Sequence, residues 1–354
     1  MNRISLHGSY FGNNYGDILL MNLFAKWTRD CLQGCVINMP LAHKSLAKDL
    51  DYDTTGFLNL IRSHALVFCG GGYFGEQPQN PHKWARRNFL RHGIVGIVAL
   101  LFNIPYAIIG VEFGPITSPW FRNFCIFLAK HAKIVVVRNQ NSIEFLQSNG
   151  VDNVILSNDA VLSLSDIVEP KENQGSIKQI LIHFSGLKSE PEILKKLVIS
   201  IINSADYCIG NYSITFISDT PGKVYSGSQY EPLFKYLDDN SINYGIKDFN
   251  NCNSLIELIN QSDYIITSKL HVGITAAALN KRVLSLWAHP KTKRLHSQID
   301  NSIFCIKFSD VETIDMEALL NNYFTCASYH LPSSIKQNAL INRDKLFEFL
   351  NQYQ

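Results

Sequence analysis

Asp263-Tyr264-Ile265-Ile266-Thr267-Ser268-Lys269-Leu270-His271-Val272-Gly273-Ile274-Thr275-Ala276-Ala277-Ala278-Leu279-Asn280 is the stretch whose reading decides the fold. Residues 263–266 enter a short apolar run at Tyr264-Ile265-Ile266, which suits a buried strand. From about His271 to Asn280 the residues are mostly small, so a helix there can pack closely on a sheet. A strand that turns straight into a helix is half of a βαβ unit. The turn between them carries an ammonium and an imidazole. In open α/β sheets ligands bind at the carboxyl ends of strands, and helix N-termini there favour anions. Lys269 suits a phosphate or a carboxylate. A histidine titrates near neutrality, so His271 can give or take a proton. A structural histidine beside a solvated lysine is the plainer reading of the same spacing.

The alternation continues outward in both directions. Ile4-Ser5-Leu6 is a first strand, followed by a glycine-rich loop through Gly16-Asp17. A helix is expected from about Ile18 to Cys31, with Asp17 as its N-cap and Gly34 closing it. Residues 65–69 form a buried strand that ends at Gly70-Gly71-Gly72. Three glycines at a strand end would expose backbone N–H groups to a ligand. A tight turn with no ligand is the alternative. Helices at 81–102, 118–131 and 141–149 alternate with strands at 106–110, 134–137 and 154–156. Residues 165–176 are polar and read as a linker. Beyond it, strands are expected at 179–183, 212–217, 263–266 and 283–286. Helices are expected at 191–205, 229–239, 253–261 and 271–280, and a final one at about 334–350. The fold class is therefore α/β, with two Rossmann-like parallel-sheet domains facing a cleft. Their expected bounds are 1–165 and 176–330, with 331–354 a C-terminal helix that packs back on the first domain.

Composition limits the function. The chain has 354 residues, 46% hydrophobic and 18% charged, enough for two domains with ample core. A net charge of +2 argues against a dedicated nucleic-acid binder. The local balance differs: between Glu76 and Glu144 the only acid is Glu112. Lys83, Arg86, Arg87, Arg91, Arg122, Lys130, Lys133 and Arg138 fall in the same interval. Such a bias implies an anionic ligand or an anionic membrane surface. Aromatic residues are interleaved with these cations, at Trp84, Phe89, Trp120, Phe121, Phe124 and Phe127. A peripheral contact with such a surface is one reading, and core aromatics under a solvated basic face are the other. Gly93 to Gly110 is uncharged, but Asn103 and Pro105 divide it into a buried helix and a strand rather than a membrane span. Met1-Asn2-Arg3 leads directly into a strand, so no signal peptide is expected. The eight cysteines are scattered and match no zinc spacing; they read as buried thiols in a reducing compartment. No cluster points to a metal or a redox cofactor.

Four features fall at expected strand ends: the Asn14–Asp17 loop, Gly70–Gly72, Arg138 and the Ser268–His271 turn. With the stretches around them, they resemble the polysaccharide pyruvyl transferase family. The resemblance rests on Gly12-Asn13-Asn14-Tyr15-Gly16-Asp17, Cys69-Gly70-Gly71-Gly72 and Gly110-Val111-Glu112-Phe113-Gly114-Pro115. It continues through Val137-Arg138-Asn139-Gln140-Asn141-Ser142, Ser157-Asn158-Asp159-Ala160, Ser268-Lys269-Leu270-His271 and His289-Pro290-Lys291. The order and spacing of these motifs carry it over roughly positions 1 to 295. Two positions depart from the family pattern: Lys269 stands where Arg is common, and Asn139 where an acid is common.

The resemblance implies a GT-B-like fold and pyruvyl transfer from phosphoenolpyruvate, a co-substrate, to a sugar of a surface glycan or its lipid-linked precursor. It also implies an acceptor side in the first domain and a donor side in the second. Such work belongs in the cytoplasm, with the enzyme at the inner face of the cell membrane by surface contact. Phosphoenolpyruvate carries a phosphate and a carboxylate, so two cationic anchors are needed. Arg138 and Lys269 suit these roles, with Ser268 beside them and Lys291 closing from the following loop. His271 suits the proton transfers. Asp17 suits either an acceptor hydroxyl or a helix cap, and Asp159 suits an Asx-type turn. Two other functions fit the same elements: a GT-B glycosyltransferase using a nucleotide sugar, and a non-catalytic glycan- or anion-binding protein.

Overall fold

The strands are apolar on both faces, which is what a parallel sheet covered by helices on each side requires. The computed structural model describes every residue except 1, 13, 44–45, 47–48, 77–79, 185–189, 205–210, 220–223, 288–289, 327 and 354. Asn13 and His289 of the motifs above lie outside the described residues. The chain forms two units, one of residues 1–163 with 336–354 and one of residues 164–335.

In the first unit the strands are β1 (Arg3–His7), β2 (Val36–Met39), β3 (Thr54–Thr55), β4 (Ala65–Phe74), β5 (Tyr106–Phe113), β6 (Val135–Val137) and β7 (Val154–Leu156). They form one parallel sheet in the order β3-β2-β1-β4-β5-β6-β7. Leu66, Phe68, Ile108, Val111, Phe121 and Leu128 are among its core residues. In the second unit the strands are β8 (Lys178–His183), β9 (Tyr212–Ile217), β10 (Tyr244–Lys247), β11 (Tyr264–Thr267), β12 (Arg282–Trp287) and β13 (Cys305–Lys307). Their order is β10-β9-β8-β11-β12-β13, again parallel throughout. Ile180, Ile182, Phe216, Ile266 and Leu284 belong to its core. The strand order reverses between β1 and β4 in one sheet and between β8 and β11 in the other. Those are the places where such sheets bind ligands.

Several boundaries differ from the sequence reading. The first helix, α1 (Tyr15–Cys31), starts three residues early. Its N-cap is Asn14, whose side chain accepts the Gly16 N–H at 3.3 Å, and Asp17 sits inside the first turn. Gly70–Gly72 do not end their strand. β4 runs through them to Phe74, because Tyr73 and Phe74 are buried apolar residues and Phe74 pairs with Phe113. The long helix expected at 81–102 is two α-segments, Pro81–Asn88 and Ile94–Leu101, joined by a wide turn at Phe89–Gly93. Strands β2, β3, β10 and β13 went unread; each is two to four residues long, and β10 is half exposed at the sheet edge. Among the described cysteines, Cys35, Cys69, Cys125 and Cys252 are buried, Cys31 and Cys305 are half-buried and Cys326 is exposed. The expectation of buried thiols therefore fails for Cys326, which follows a helix end on the surface.

The C-terminal helix, Ser333–Leu350, carries a buried asparagine into the first unit. Asn342 donates to the Asn158 carbonyl at 3.0 Å and accepts from the Ser157 hydroxyl at 3.1 Å. It thereby fixes the loop after β7. Gly110 in β5 lies against the same side chain: a Cβ there would stand 2.9 Å from Asn342 Oδ1, and its φ is +73°. Gly110→Ala is expected to destabilise the first unit by about 2 kcal/mol or more, through left-handed backbone strain together with the clash. A lowered midpoint in urea unfolding, read on the tryptophans of that unit, checks this.

Candidate active site

Each unit carries one cluster of polar side chains at the carboxyl edge of its sheet. In the second unit the cluster lies at the reversal of strand order. His183 ends β8 and Thr267 ends β11, and the two are paired in register. Thr267 Oγ1 lies 3.1 Å from His183 Nδ1 and accepts the Lys269 N–H at 3.0 Å. Asp219 follows β9 and is almost fully buried. Its Oδ1 is 3.4 Å from His183 Nε2 and its Oδ2 is 3.6 Å from Lys269 Nζ. Lys269 is thus held twice, at its backbone by Thr267 and at its ammonium by Asp219. Its side chain remains 40% exposed, so an incoming anion can reach it.

Lys269 is also the N-cap of the helix Leu270–Ala278, without a side-chain cap bond. The partial positive charge of that helix end adds to the ammonium. His271 is half-buried in the first turn, and the Thr275 hydroxyl donates to its carbonyl at 2.8 Å. Ser268 donates its N–H to the His183 carbonyl at 3.1 Å. Lys291 stands in the first turn of the helix Pro290–Gln298, which follows β12. The structure therefore places Ser268, Lys269 and His271 in one turn and Lys291 at the end of the neighbouring strand.

The cluster of the first unit is built on Arg138, just after β6. Its Nη1 donates to Asp159 at 2.7 Å and its Nη2 to Glu112 at 2.8 Å. Burial alone would lower the guanidinium pKa, but Asp159 and Glu112 outweigh it and the net shift is upward. Arg138 is expected from sequence to meet a donor anion. In the structure both of its terminal nitrogens hold carboxylates of its own unit. Asn139 does what any good N-cap does: its side chain accepts the Ser142 N–H at 3.0 Å and starts the helix Gln140–Gln147. Asp159 also accepts the Val161 N–H at 3.1 Å, in the loop that Asn342 pins. Asp17 receives a hydrogen bond from Asn14 Nδ2 at 3.0 Å. Burial pushes the Asp17 carboxyl up to about 6, against the pull of Arg138. Gly71 makes room for it: a Cβ there would lie 3.8 Å from Asp17 Oδ1 and 3.2 Å from the Tyr73 ring, at φ +97°. Gly70 packs on Leu20 of α1. The glycines thus serve the closeness of α1 and β4. Three carboxylates around one guanidinium leave this edge rich in hydrogen-bond acceptors, which suits hydroxyl groups better than anions.

Glu112, His183 and Asp219 are absent from the residues that sequence reasoning selects for the site. His183 and Asp219 end or follow apolar strands as Arg138 does, and that same criterion finds them. His7 also ends a strand at a reversal point, but its ring is buried against Tyr10 and His92, and burial pushes its pKa down to about 3. It is a neutral core residue.

The family model for polysaccharide pyruvyl transferase matches residues 14–290, from the cap of α1 through β12. The chain belongs to the polysaccharide pyruvyl transferase family. No curated protein sequence matches it. Solved structures resemble this pyruvyl transferase family member in fold. A putative UDP-N-acetylglucosamine 2-epimerase from Listeria monocytogenes superposes with a TM-score of 0.64 at 10% identity, covering 100% of this chain and 97% of the other. The UDP-GlcNAc 2-epimerase from Methanocaldococcus jannaschii gives 0.62 at 11%, covering 99% and 100%. That from Neisseria meningitidis, bound to UDP-GlcNAc, gives 0.55 at 13%, covering 98% and 100%. At these identities the likeness shows the fold alone, which is GT-B-like.

In this family member the state of Asp17 makes a testable mark. Its native pKa lies above the ordinary 3.8, so the fold favours its protonated form. The contribution of Asp17 to stability is therefore greatest at acid pH and is lost as pH rises from about 4 through about 6. Asp17→Asn is expected to raise the melting temperature at pH 7 and to leave it unchanged near pH 3. If Asp17 takes a proton from a hydroxyl, the same change removes the acid limb near pH 6 from kcat/KM and lowers the rate about 10²-fold.

Proposed function

We propose that this protein transfers a pyruvyl group from phosphoenolpyruvate to two hydroxyls of a sugar in a surface polysaccharide or its lipid-linked precursor, forming a ketal. The observation that carries this reading is the turn at the end of β11. There a lysine held at its backbone by Thr267 and at its ammonium by Asp219, a helix N-terminus without a side-chain cap bond and an imidazole occupy four successive residues. That is what a small enol ester bearing a phosphate and a carboxylate needs: anchors for its charges and a proton for its methylene carbon.

In this proposal Lys269, Ser268 and Lys291 bind the phosphate and carboxylate of the donor. His271 protonates C3, which becomes the methyl group, and positive charge develops at C2. One sugar hydroxyl adds to C2, phosphate leaves and a second hydroxyl closes the ketal. Of the two hydroxyl protons, one replaces the proton His271 gave and the other leaves with phosphate. The first unit takes the acceptor, with Asp17, Glu112 and Asp159 as acceptors for sugar hydroxyls. Arg138 holds two of these carboxylates in place. No metal or cofactor enters this scheme.

Lys269→Ala is expected to raise the apparent donor KM about 10- to 100-fold, the loss of one charge-assisted contact, with acceptor KM nearly unchanged. Thermal-shift titration tests donor choice before any turnover is sought. Phosphoenolpyruvate should raise the melting temperature of the wild type and not of Lys269→Ala. Stabilisation by UDP-sugars alone would instead favour nucleotide-sugar transfer. Stabilisation by glycans without any phosphate release would favour a binding protein.

A further inference from the structure

Beyond that reaction, the first unit presents a surface that calls for a partner of its own. The two segments Pro81–Asn88 and Ile94–Leu101 follow β4, and the helix Pro119–His131 follows β5. Successive right-handed crossovers lay them side by side on one face of the sheet. They touch through Phe89 with Trp120 at 5.4 Å and with Phe124 at 5.0 Å. Gly93 and Gly96 admit Phe124 and Leu128, where a Cβ would clash. The outer side of this pair is apolar. Leu90 is 59% exposed, Leu101 72%, Trp120 45% and Phe127 48%. Ile94 and Ile97, half-buried, fill the helical stripe between Leu90 and Leu101. Exposed large side chains gathered on one face mark a contact surface. Of the aromatics read from sequence as interfacial, Phe121 is core.

The charges carried by these helices have one sign. Lys83, Arg86 and Arg87 are exposed on the helix Pro81–Asn88, with the Arg87 guanidinium 3.8 Å over the Trp84 ring. Lys130 and Lys133 are exposed at the opposite end. The nearby carboxylates of this stretch are turned to other uses: Glu76 accepts the backbone N–H groups of Thr117 and Ser118, and Glu112 is buried on Arg138. A second copy of the chain meeting this face through a twofold axis would bring its own cations against them. A nucleic acid would match the charges and leave the leucines and aromatics uncovered. An anionic bilayer matches both, since its headgroups take the cations and its acyl boundary takes the apolar stripe. No helix among the described residues is long and apolar enough to cross a membrane, so the contact is made along the surface.

We propose that the outer face of these helices docks this protein on an anionic lipid bilayer. Leu90, Leu101, Trp120 and Phe127 enter the interface, and Lys83, Arg86 and Arg87 pair with headgroups. The helix Pro81–Asn88 is the next element after β4, so its start lies toward the sheet edge that carries the Arg138 cluster. This inference does not depend on which donor the enzyme uses.

The test is flotation of the full-length protein with vesicles of phosphatidylcholine alone or mixed with phosphatidylglycerol, with melting temperatures as a folding control. Binding should require the anionic lipid and weaken as salt rises from about 0.1 to about 0.5 M. Changing Lys83, Arg86 and Arg87 together to Ala should weaken it about 100-fold, at about fivefold per cation. Lipids brominated in the acyl chains should quench tryptophan emission in the wild type and much less in Trp120→Leu. Equal binding to neutral and anionic vesicles, or binding to neither, would overturn the proposal. So would a concentration-dependent dimer, abolished by Leu101→Asp, in a protein that ignores vesicles, because it would assign the face to a second copy.

Discussion

Replacing His271 with Ala is expected to lower kcat by ~10²–10⁴, the range that one positioned acid–base group supplies. The melting temperature should hardly move, because His271 is half-buried at the first turn of its helix and outside the hydrophobic core of its unit. Donor KM should change little, since the proposed scheme gives the anchoring to Lys269. His271→Gln keeps the side-chain volume and separates proton transfer from packing. It should be as inactive as the alanine variant. A His271→Gln enzyme with near-wild-type kcat would remove His271 from the chemistry. The neighbouring Asp219 gives a second check on the same turn. If Asp219 acts by holding Lys269, Asp219→Asn raises donor KM in the wild type and adds nothing in a Lys269→Ala background.

Arg138→Ala is the other change with a large expected effect, and it acts first on stability. The guanidinium neutralises Glu112 and Asp159, both buried. Its removal leaves two carboxylates close together out of water, and breaking such a buried set costs about 3–5 kcal/mol. Changing Glu112 to Gln together with Arg138→Ala should recover part of it. At temperatures where the variant is folded, acceptor KM should rise far more than donor KM, because the displaced groups are the carboxylates assigned to sugar hydroxyls. A variant of unchanged stability with only donor KM raised would return Arg138 to the donor, the role that its residue type and position suggest in the sequence.

That contrast shows what a sequence discloses here and what it does not. The parallel sheets were legible because their central strands, such as Ile180–Ile182 and Val135–Val137, are short apolar runs bounded by turns and followed by helices. Arg138, Lys269 and His271 were legible as polar residues interrupting such runs at strand ends. Partners were not. Nothing in the order of residues says that Glu112, some 26 positions before Arg138, meets it across β5 and β6. Nor does it say that Asp219 crosses from β9 to Lys269 after β11. The first pairing comes from β5 and β6 lying side by side, and the second from the reversal of strand order that sets β9 and β11 on either side of β8. Gly70–Gly72 misled for a related reason. Glycine marks both a strand end and a place where a helix presses on a strand, and only the packing of Leu20 and Asp17 against β4 separates the two.

The central claim is that this chain makes a pyruvate ketal. The direct measurement is incubation of the purified protein with phosphoenolpyruvate labelled with ¹³C at C3 and a panel of synthetic or lipid-linked glycosides, followed by mass spectrometry and ¹³C NMR, with phosphate release measured alongside. The expected result is one acceptor that gains the mass of a single pyruvate ketal, a new ¹³C methyl signal in the product, and one phosphate released per ketal. Each of these should be absent with His271→Gln. Transfer of a sugar from a UDP-sugar, with phosphoenolpyruvate left intact across the whole panel, would contradict it.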